Sequence, residues 1–435
     1  MKILVFAHKL EVGGTQVNAI ELAAQMRDAH GHDVVLFAVP GPMVALVEDK
    51  GLRYIPAPTG AGYSPSRMRA LYRLAQAERP DLIHVWDAPQ YLEAMFAVHL
   101  WTRVPMVVTS MAMVVNNEFP RHIRTTFGTP DLVAQAVRSG RRASPLLPPV
   151  DTDFNQPDPA QGQDFRDRHS FSERDIVLVT VSRLVHWMKA ESLRDTIEAV
   201  RTLGHDLPLH FVIVGDGTAR PEIEALSEEV NRELGRTAVH VIGPMLDPRP
   251  AYAAADIVIG MGGSALRGMA FAKPVIVVGE QGFSGAFTPE TAPSFLQMGI
   301  YGLGDGQSGR AQLTRHIAEL AAAPERLAEL GAFGRAFVTR NFSLAQVASD
   351  LHQLMADCVV AQPSFGQFAA DMTRTTALFV AHRLLPYQWR ARLSWAKSRH
   401  RQQLLTSLQF RGQASATFDL PTNPTAPSQG AGPPA

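Results

Sequence analysis

Short apolar runs alternate along most of the chain with stretches whose apolar positions recur at helical spacing. Lys2–Ala7, Asp33–Val39, Leu82–Val85 and Met106–Thr109 are brief and β-rich, a pattern that predicts strands buried on both faces of a parallel sheet. Between them Thr15–Ala29, Pro65–Glu78 and Gln90–Leu100 have the periodicity of helices. The second half repeats the scheme, with strands expected at Ile176–Ser182, Leu209–Val214, Val239–Ile242, Asp256–Gly260 and Pro274–Val278. Strand–helix alternation builds βαβ units, and two such series predict an α/β protein with two doubly wound parallel sheets.

The two series are separated by Pro145–Asp175, rich in Pro, Asp and Gln, which suits a hinge crossing. We therefore expect an N-terminal Rossmann-like domain over 1–150, a linker over 151–172 and a second Rossmann-like domain over 173–360. Proteins of this architecture bind ligands in the cleft, at the carboxyl ends of strands. Beyond it the reading predicts a basic helical extension over 361–411. Residues 412–435 hold five Pro and three Gly among 24 residues, and disorder is expected there.

Charge sharpens this division. The 435 residues carry 41 Lys+Arg and 41 Asp+Glu, a balance that argues against a surface built for nucleic acid. The balance is uneven, because residues 372–435 hold eight bases and one acid, leaving 33 bases and 40 acids in the body. Within 384–411, Trp389 and Trp395 lie among leucines and the bases Arg390, Arg392, Lys397, Arg399 and Arg401. That composition makes an anionic membrane surface a candidate partner, with the acidic body or another protein as the alternatives. Cys358 is the single cysteine, so intrachain disulfides and Cys-based zinc sites are excluded. The opening residues lack the longer apolar region of a secretory signal, and apolar stretches such as Val104–Val115 fall short of the ~20 residues a spanning helix needs. The expected location is cytoplasmic, with peripheral attachment to the inner face of the plasma membrane as the tail's contribution.

Three motifs carry candidate chemistry. Gly13-Gly14 stands between the first strand and its helix, where backbone N–H groups can approach a ligand and a helix start favours an anion. A plain strand–turn–helix also wants glycine, and the segment is not the G-x-G-x-x-G of nicotinamide sites. Arg183 follows a strand and Lys189 opens the next helix; two cations converging there match a diphosphate leaving group. Gly260, Gly262, Gly263 and Ser264 form a glycine-rich strand-to-helix turn suited to cradling phosphate. Gly215-Asp216-Gly217 reads as a tight turn. Asp151-Thr152-Asp153 has the spacing of a metal-binding pair, but its place at the domain crossing favours a turn, and no metal or other cofactor is expected. Thr129-Pro130-Asp131 reads as a helix start.

Over roughly 1–355 these pieces, in this order, resemble the GT-B glycosyltransferases of family 4, the retaining, group 1 type. The resemblance rests on Gly13-Gly14 with Glu21-Leu22-Ala23, Pro80-Asp81-Leu82-Ile83-His84, Leu147 to Asp153, Ser182-Arg183-Leu184 with Lys189, and Val214 to Gly217. Ala253 to Asp256, Gly268 to Ile276 and Asn341-Phe342-Ser343 extend it. It implies a hexosyltransferase-like enzyme that moves a sugar from a nucleotide-diphosphate sugar to an acceptor (a glycan, lipid or small molecule) with retention and without metal. Arg183 and Lys189 would then hold the diphosphate and act in catalysis, Gly260 to Ser264 would wrap the nucleotide, and Gly13-Gly14 would face donor or acceptor. The departing phosphate can take the acceptor's proton, which leaves the protein positioning and charge stabilisation.

The chain departs from the family pattern at four places. The paired glutamates fall on Ile259 and Arg267, the histidine after the N-terminal strand is Met111, and a glycine is Ala272. An Arg cannot accept hydrogen bonds from ribose hydroxyls. In an active enzyme Arg267 would pair with a phosphate, and Glu280, after the strand Pro274–Val278, would take a sugar or ribose contact. The alternative is a catalytically retired GT-B module that binds a nucleotide sugar or a partner protein.

Overall fold

The computed structural model describes residues 1–60, 62–87, 90–116, 119–186 and 189–384. Its first sheet holds seven strands: β1 (Lys2–Phe6), β2 (Asp33–Ala38), β3 (Arg53–Pro56), β4 (Leu82–Trp86), β5 (Met106–Ser110), β6 (Arg124–Phe127) and β7 (Ala143–Pro145). They run parallel in the order β3-β2-β1-β4-β5-β6-β7. The second sheet comprises β8 (Ile176–Val181), β9 (Leu209–Val214), β10 (Val239–Gly243), β11 (Ile257–Gly260), β12 (Val275–Val278) and β13 (Ser284–Ala286). Its order is β10-β9-β8-β11-β12-β13, parallel except that β13 runs against β12. This is the expected α/β, doubly wound, two-sheet architecture.

Each strand read from the apolar pattern lies within one residue of its expected ends. β3, β6, β7 and β13 are additions. They lie at or next to sheet edges and are short, three or four residues each. Edge strands bury less, so their sequences (Arg124-Thr125-Thr126-Phe127 among them) carry little apolar signal. The helix expected over Gln90–Leu100 forms, interrupted by a π turn at Met95–His99.

Both faces of the first sheet are covered, and the chain's end supplies part of the cover. On one face Ile3, Val5, Leu36 and Val107 pack with Leu344, Val347, Leu351 and Met355 of the helix Leu344–Val360. On the other, Leu4, Phe6, Phe37 and Tyr91 share a core with Phe368 and Met372 of the helix Phe365–Leu384. The last helix of the span expected to close the second domain thus lies against the first sheet, and so does the start of the expected basic extension. Residues 385–411 of that extension and the 412–435 tail fall outside the described residues.

Asp371 fastens the helix Phe365–Leu384 to the first sheet. Its carboxylate accepts bonds from His122 Nδ1 at 2.6 Å, from the N–H groups of Arg121 and His122, and from Arg374 Nε at 2.7 Å. Burial works against its charge, but these bonds outweigh it and hold the carboxyl well below the ordinary carboxylate range. The chain crosses between the sheets at two adjoining points. Val150 N–H donates to Phe342 O at 2.8 Å, and Leu344 N–H donates to Val150 O at 2.9 Å.

Ala272 follows the helix Gly263–Ala270 with φ +54°, a left-handed conformation that suits glycine at a helix end. The exchange of glycine for alanine noted in the sequence therefore carries strain. Ala272→Gly is expected to stabilise the protein by about 1 kcal/mol, read as a raised urea midpoint at unchanged slope; an equal or lower midpoint would count against strain at this position.

Candidate functional site

Both sheets reverse their strand order beside the first strand of each half: between β1 and β4 in one, between β8 and β11 in the other. Such switch points leave a crevice at the carboxyl ends of the strands. The candidate residues gather at these two crevices.

On the N-terminal side, β1 runs into a loop that ends at Gly13, the extended N-cap of the helix Gly14–Asp28. A Cβ on Gly13 would lie 2.5 Å from Gln16 Oε1, whereas at Gly14 nothing comes within 4 Å. No side chain caps this helix and no acidic residue stands in its first turn. Lys9 bonds Glu11 at 2.6 Å. That bond holds the Glu11 carboxyl below its ordinary value, and the positive charge of Arg183, from the other half, adds to the effect. In the same crevice His8 Nε2 stands 3.1 Å from Asp87 Oδ2, and Asp87 Oδ1 accepts the Met111 N–H at 3.0 Å. His84, by contrast, is fully buried within β4 and bonded to Thr109; burial pushes it down to about 3, so it stays neutral.

On the C-terminal side, Arg183 is exposed just beyond β8. Its loop is shaped by the β9 exit: Leu184 N–H donates to Asp216 O at 2.8 Å. Gly215 and Gly217 have φ +148° and +153°, and a side chain on either would collide with the carbonyl of Ser182 or Leu184. The turn expected at 215–217 thus also holds the Arg183 loop. Lys189 is the N-cap of the helix Ala190–Leu203. Burial and the neighbouring Arg183 push its ammonium down to about 8. No carboxylate among the described residues forms an ion pair with either cation.

Gly260 ends β11, next to β8. A Cβ there would lie 2.9 Å from Ser264 Oγ. Gly262 adopts φ +55° and donates its N–H to Ile300 O at 2.7 Å. Ser264 Oγ lies 3.1 Å from the hydroxyl of buried Tyr252, and Arg267 Nη1 donates to Gly263 O at 3.4 Å. The positive charge of Arg267 also acts, from the other half, on Glu21 of the helix Gly14–Asp28. Burial pushes the Glu21 carboxyl up, and its Oε2 has no hydrogen-bond partner among the described residues. Ile259, at the other glutamate position, is buried in the core at 2% exposure and presents nothing to the cleft.

Glu280 follows β12, as its position in the sequence implied. Its Oε1 accepts the Tyr301 hydroxyl at 2.5 Å and its N–H donates to Gly302 O at 3.0 Å. Asp151 spends its carboxylate on a turn, accepting from the N–H groups of Asp153 at 3.2 Å and Phe154 at 2.8 Å. Thr129 caps its helix through Leu132 N–H at 3.3 Å. A cavity of ≈ 30 Å³ lined by His99, Arg103, His122 and Phe368 adjoins the amino end of β5 and lies away from these crevices.

The structure thus groups Arg183 with Lys189 and Glu11, joins Gly260, Gly262, Gly263, Ser264 and Arg267 in one turn that faces Glu21, and places Glu280 beside Tyr301. The motif reading passed over Glu11, the His8–Asp87 pair and the part Glu21 takes. Their partners lie far along the chain, and only the strand order brings them near.

Two family models match the chain: Glycosyltransferase Family 4 over residues 12–124, and Glycosyl transferases group 1 over residues 175–294. No curated protein matches it. Among solved structures, a glycosyltransferase from Rickettsia africae aligns with TM-score 0.67 and 17% identity, covering 82% of this chain and 98% of that one. HepE of Anabaena, solved with UDP, aligns with TM-score 0.66 and 16% identity over 82% and 100%. Its complex with UDP-glucose gives 0.65 and 17% over the same shares. At such identities these structures bear on the fold. The two family matches together span more than half of the chain, in the same order as the two sheets, and the chain belongs to the family 4, group 1 glycosyltransferases of the GT-B fold.

Proposed function

We propose that the protein transfers a sugar from a nucleotide-diphosphate sugar to a hydroxyl acceptor, with retention and without a bound metal. The observation that carries this reading is the pairing of Arg183 and Lys189, two cations without a carboxylate partner among the described residues, beside the glycine turn of the adjoining strand. Such a site offers charge to a diphosphate and backbone N–H groups to its oxygens. When the glycosidic bond breaks, negative charge grows on the leaving diphosphate, and Arg183 and Lys189 stabilise it. The UDP in Anabaena HepE supports uridine donors as the first to try. Arg267 would meet a phosphate or exchange charge with Glu21. Glu280, steadied by Tyr301, would accept from a sugar or ribose hydroxyl.

The second reading, a module that binds without turnover, draws on the positions where the family's glutamates and histidine are Ile259, Arg267 and Met111. A panel of UDP-, GDP- and ADP-sugars with glycan and lipid acceptors separates the two. Turnover with a retained anomer is expected; tight binding with none would sink the enzyme reading, and an inverted product would remove retention.

Arg183→Ala is expected to weaken UDP binding at least tenfold, in line with the loss of a charge-assisted pair. Unchanged affinity by calorimetry would remove it from the site. Lys189 supplies a pH signature. Its ammonium titrates near 8 in the free protein, so UDP affinity falls as pH rises from 8 towards 10. In Lys189→Arg the guanidinium keeps its charge, and the decline attributable to residue 189 disappears; identical profiles in both proteins would contradict the role.

No helix among the described residues is long and apolar enough to cross a membrane. We further propose that residues 384–411 attach the protein to an anionic cytoplasmic surface, supported by the tail's excess of bases. Since Phe368 and Met372 are part of the core, the comparison to make is the full chain against one ending at Leu384. The full chain should float with phosphatidylserine vesicles and the shorter should not; equal flotation would exclude the tail as the anchor.

A further inference from the structure

The cavity at the amino end of β5 has no part in the donor site, yet it gathers positive charge. Strands β5, β6 and β7 are parallel neighbours, so their amino ends lie side by side. Arg103 comes three residues before β5, Arg124 opens β6 and Arg142 directly precedes β7. The sheet order thereby brings three guanidinium groups from separate parts of the chain to the wall of one cavity. Residues 361–363, between the helices Leu344–Val360 and Phe365–Leu384, complete the lining. Part of this charge is spent on the fold. Arg142 Nη2 donates to Ala361 O at 3.2 Å and Arg103 Nη2 to Pro363 O at 3.0 Å, which satisfies carbonyls just past a helix end.

The rest of the charge is unspent. Arg124 Nη1 donates to Ser144 Oγ at 3.0 Å, but its Nε is buried without a hydrogen-bond partner among the described residues. A buried donor left unpaired is costly unless a ligand or water meets it. No carboxylate among the described residues forms an ion pair with Arg103, Arg124 or Arg142. Asp371, on the adjoining helix, is taken by His122 and Arg374, and the exposed Asp357 accepts from Gln353. The cavity, ≈ 30 Å³, has room for about two or three water-sized groups. That matches the oxygens of one phosphate and is too small for a sugar ring or a base. Its rim is apolar and open to solvent. Trp101, Val360 and Phe365 are 72%, 86% and 69% exposed, and each lies within two residues of a position that lines the cavity. The Arg103 guanidinium sits 5.9 Å from the centre of the Phe365 ring, so rim and charge adjoin. Aromatic side chains beside cations suit the headgroup level of a lipid surface, where rings enter the apolar layer and cations meet phosphate.

We propose that this cavity receives the phosphate of an anionic phospholipid, with Arg103, Arg124 and Arg142 donating to its oxygens and Trp101, Val360 and Phe365 entering the lipid around it. The occupant is a lipid and not the free ion, because free phosphate would leave the apolar rim in water. This is a second contact beside the one assigned to residues 384–411, and it rests on attachment of the full chain to a membrane. One headgroup holds a protein only marginally, and two weak contacts on one chain reinforce each other.

The test measures partition of the full chain onto vesicles of phosphatidylserine mixed with phosphatidylcholine, with cooperative urea unfolding of each variant as the control for folding. Arg124→Gln and Arg142→Gln are each expected to lower partition about fivefold, the loss of one base near an anionic surface. Arg124→Lys and Arg142→Lys keep the charge but lose the planar fork that grips phosphate, and a drop of about threefold is expected. Trp101→Ser and Phe365→Ser should lower partition at unchanged charge. Wild-type partition in the Lys and Ser variants reduces the arginines to a diffuse positive field and overturns the proposal. Calorimetric binding of inorganic phosphate that is lost in Arg124→Gln, with vesicle partition unchanged, assigns the cavity to the free ion and overturns the lipid. Equal flotation of the chain ending at Leu384 removes the tail as anchor and leaves the arginine variants to decide the cavity. A full chain that does not partition at all overturns both.

Discussion

The hydrogen bonds around Val150 tie the two crossings of the chain together. Val150 N–H donates to Phe342 O, and Leu344 N–H donates back to Val150 O, so the outgoing and returning segments form one seam. Two charge interactions at the cleft span that seam. Arg183 acts on Glu11 and Arg267 acts on Glu21, each pair drawn from both halves. The seam also delivers the helix Leu344–Val360 to the first sheet, where Leu351 and Met355 are wholly buried. Removing that helix would uncover apolar core, so the first half depends on the end of the chain for its stability.

Charge at the cleft is arranged by exclusion as much as by attraction. Several bases answer an acid close by: Arg166 meets Asp256, Arg201 meets Glu229 and Glu233, and Arg374 meets Asp371. Among the described residues no acid forms an ion pair with Arg183 or Lys189, and burial, with the neighbouring Arg183 adding to it, depresses the lysine. Two like charges held together without a counter-ion are unfavourable in the empty protein, and an anion relieves the cost. Glu21 opposite Arg267 is the counterpart, a carboxylate whose burial raises its pKa and whose Oε2 is unpartnered. The exchange of a glutamate for Arg267 therefore changes the charge pattern at the cleft, with Glu21 of the other half partly balancing it.

Legibility differed between fold and site for a physical reason. A buried parallel strand must be apolar on both faces, so nine strands could be read from composition alone. The edge strands β3, β7 and β13 escape because solvent tolerates their polar residues. Arg183, Lys189 and the glycines of 260–263 were legible because a strand end followed by a helix start is a local event. The His8–Asp87 pair was not: its members lie 79 positions apart and meet because β1 and β4 are neighbours, a fact that belongs to the sheet order. The strain at Ala272 shows only in its backbone angle.

The sequence by itself determined the alternation of strands and helices, the two sheets, the crossing region near 150 and the family to which the chain belongs, since each depends on short-range pattern and motif order. Only the tertiary structure decided that the terminal helices close the first sheet, that Gly215 and Gly217 shape the loop bearing Arg183, and that His8 is held by Asp87. Those are contacts between residues distant along the chain, and they exist only once parallel strands have been ordered and the backbone has returned through the seam at Val150.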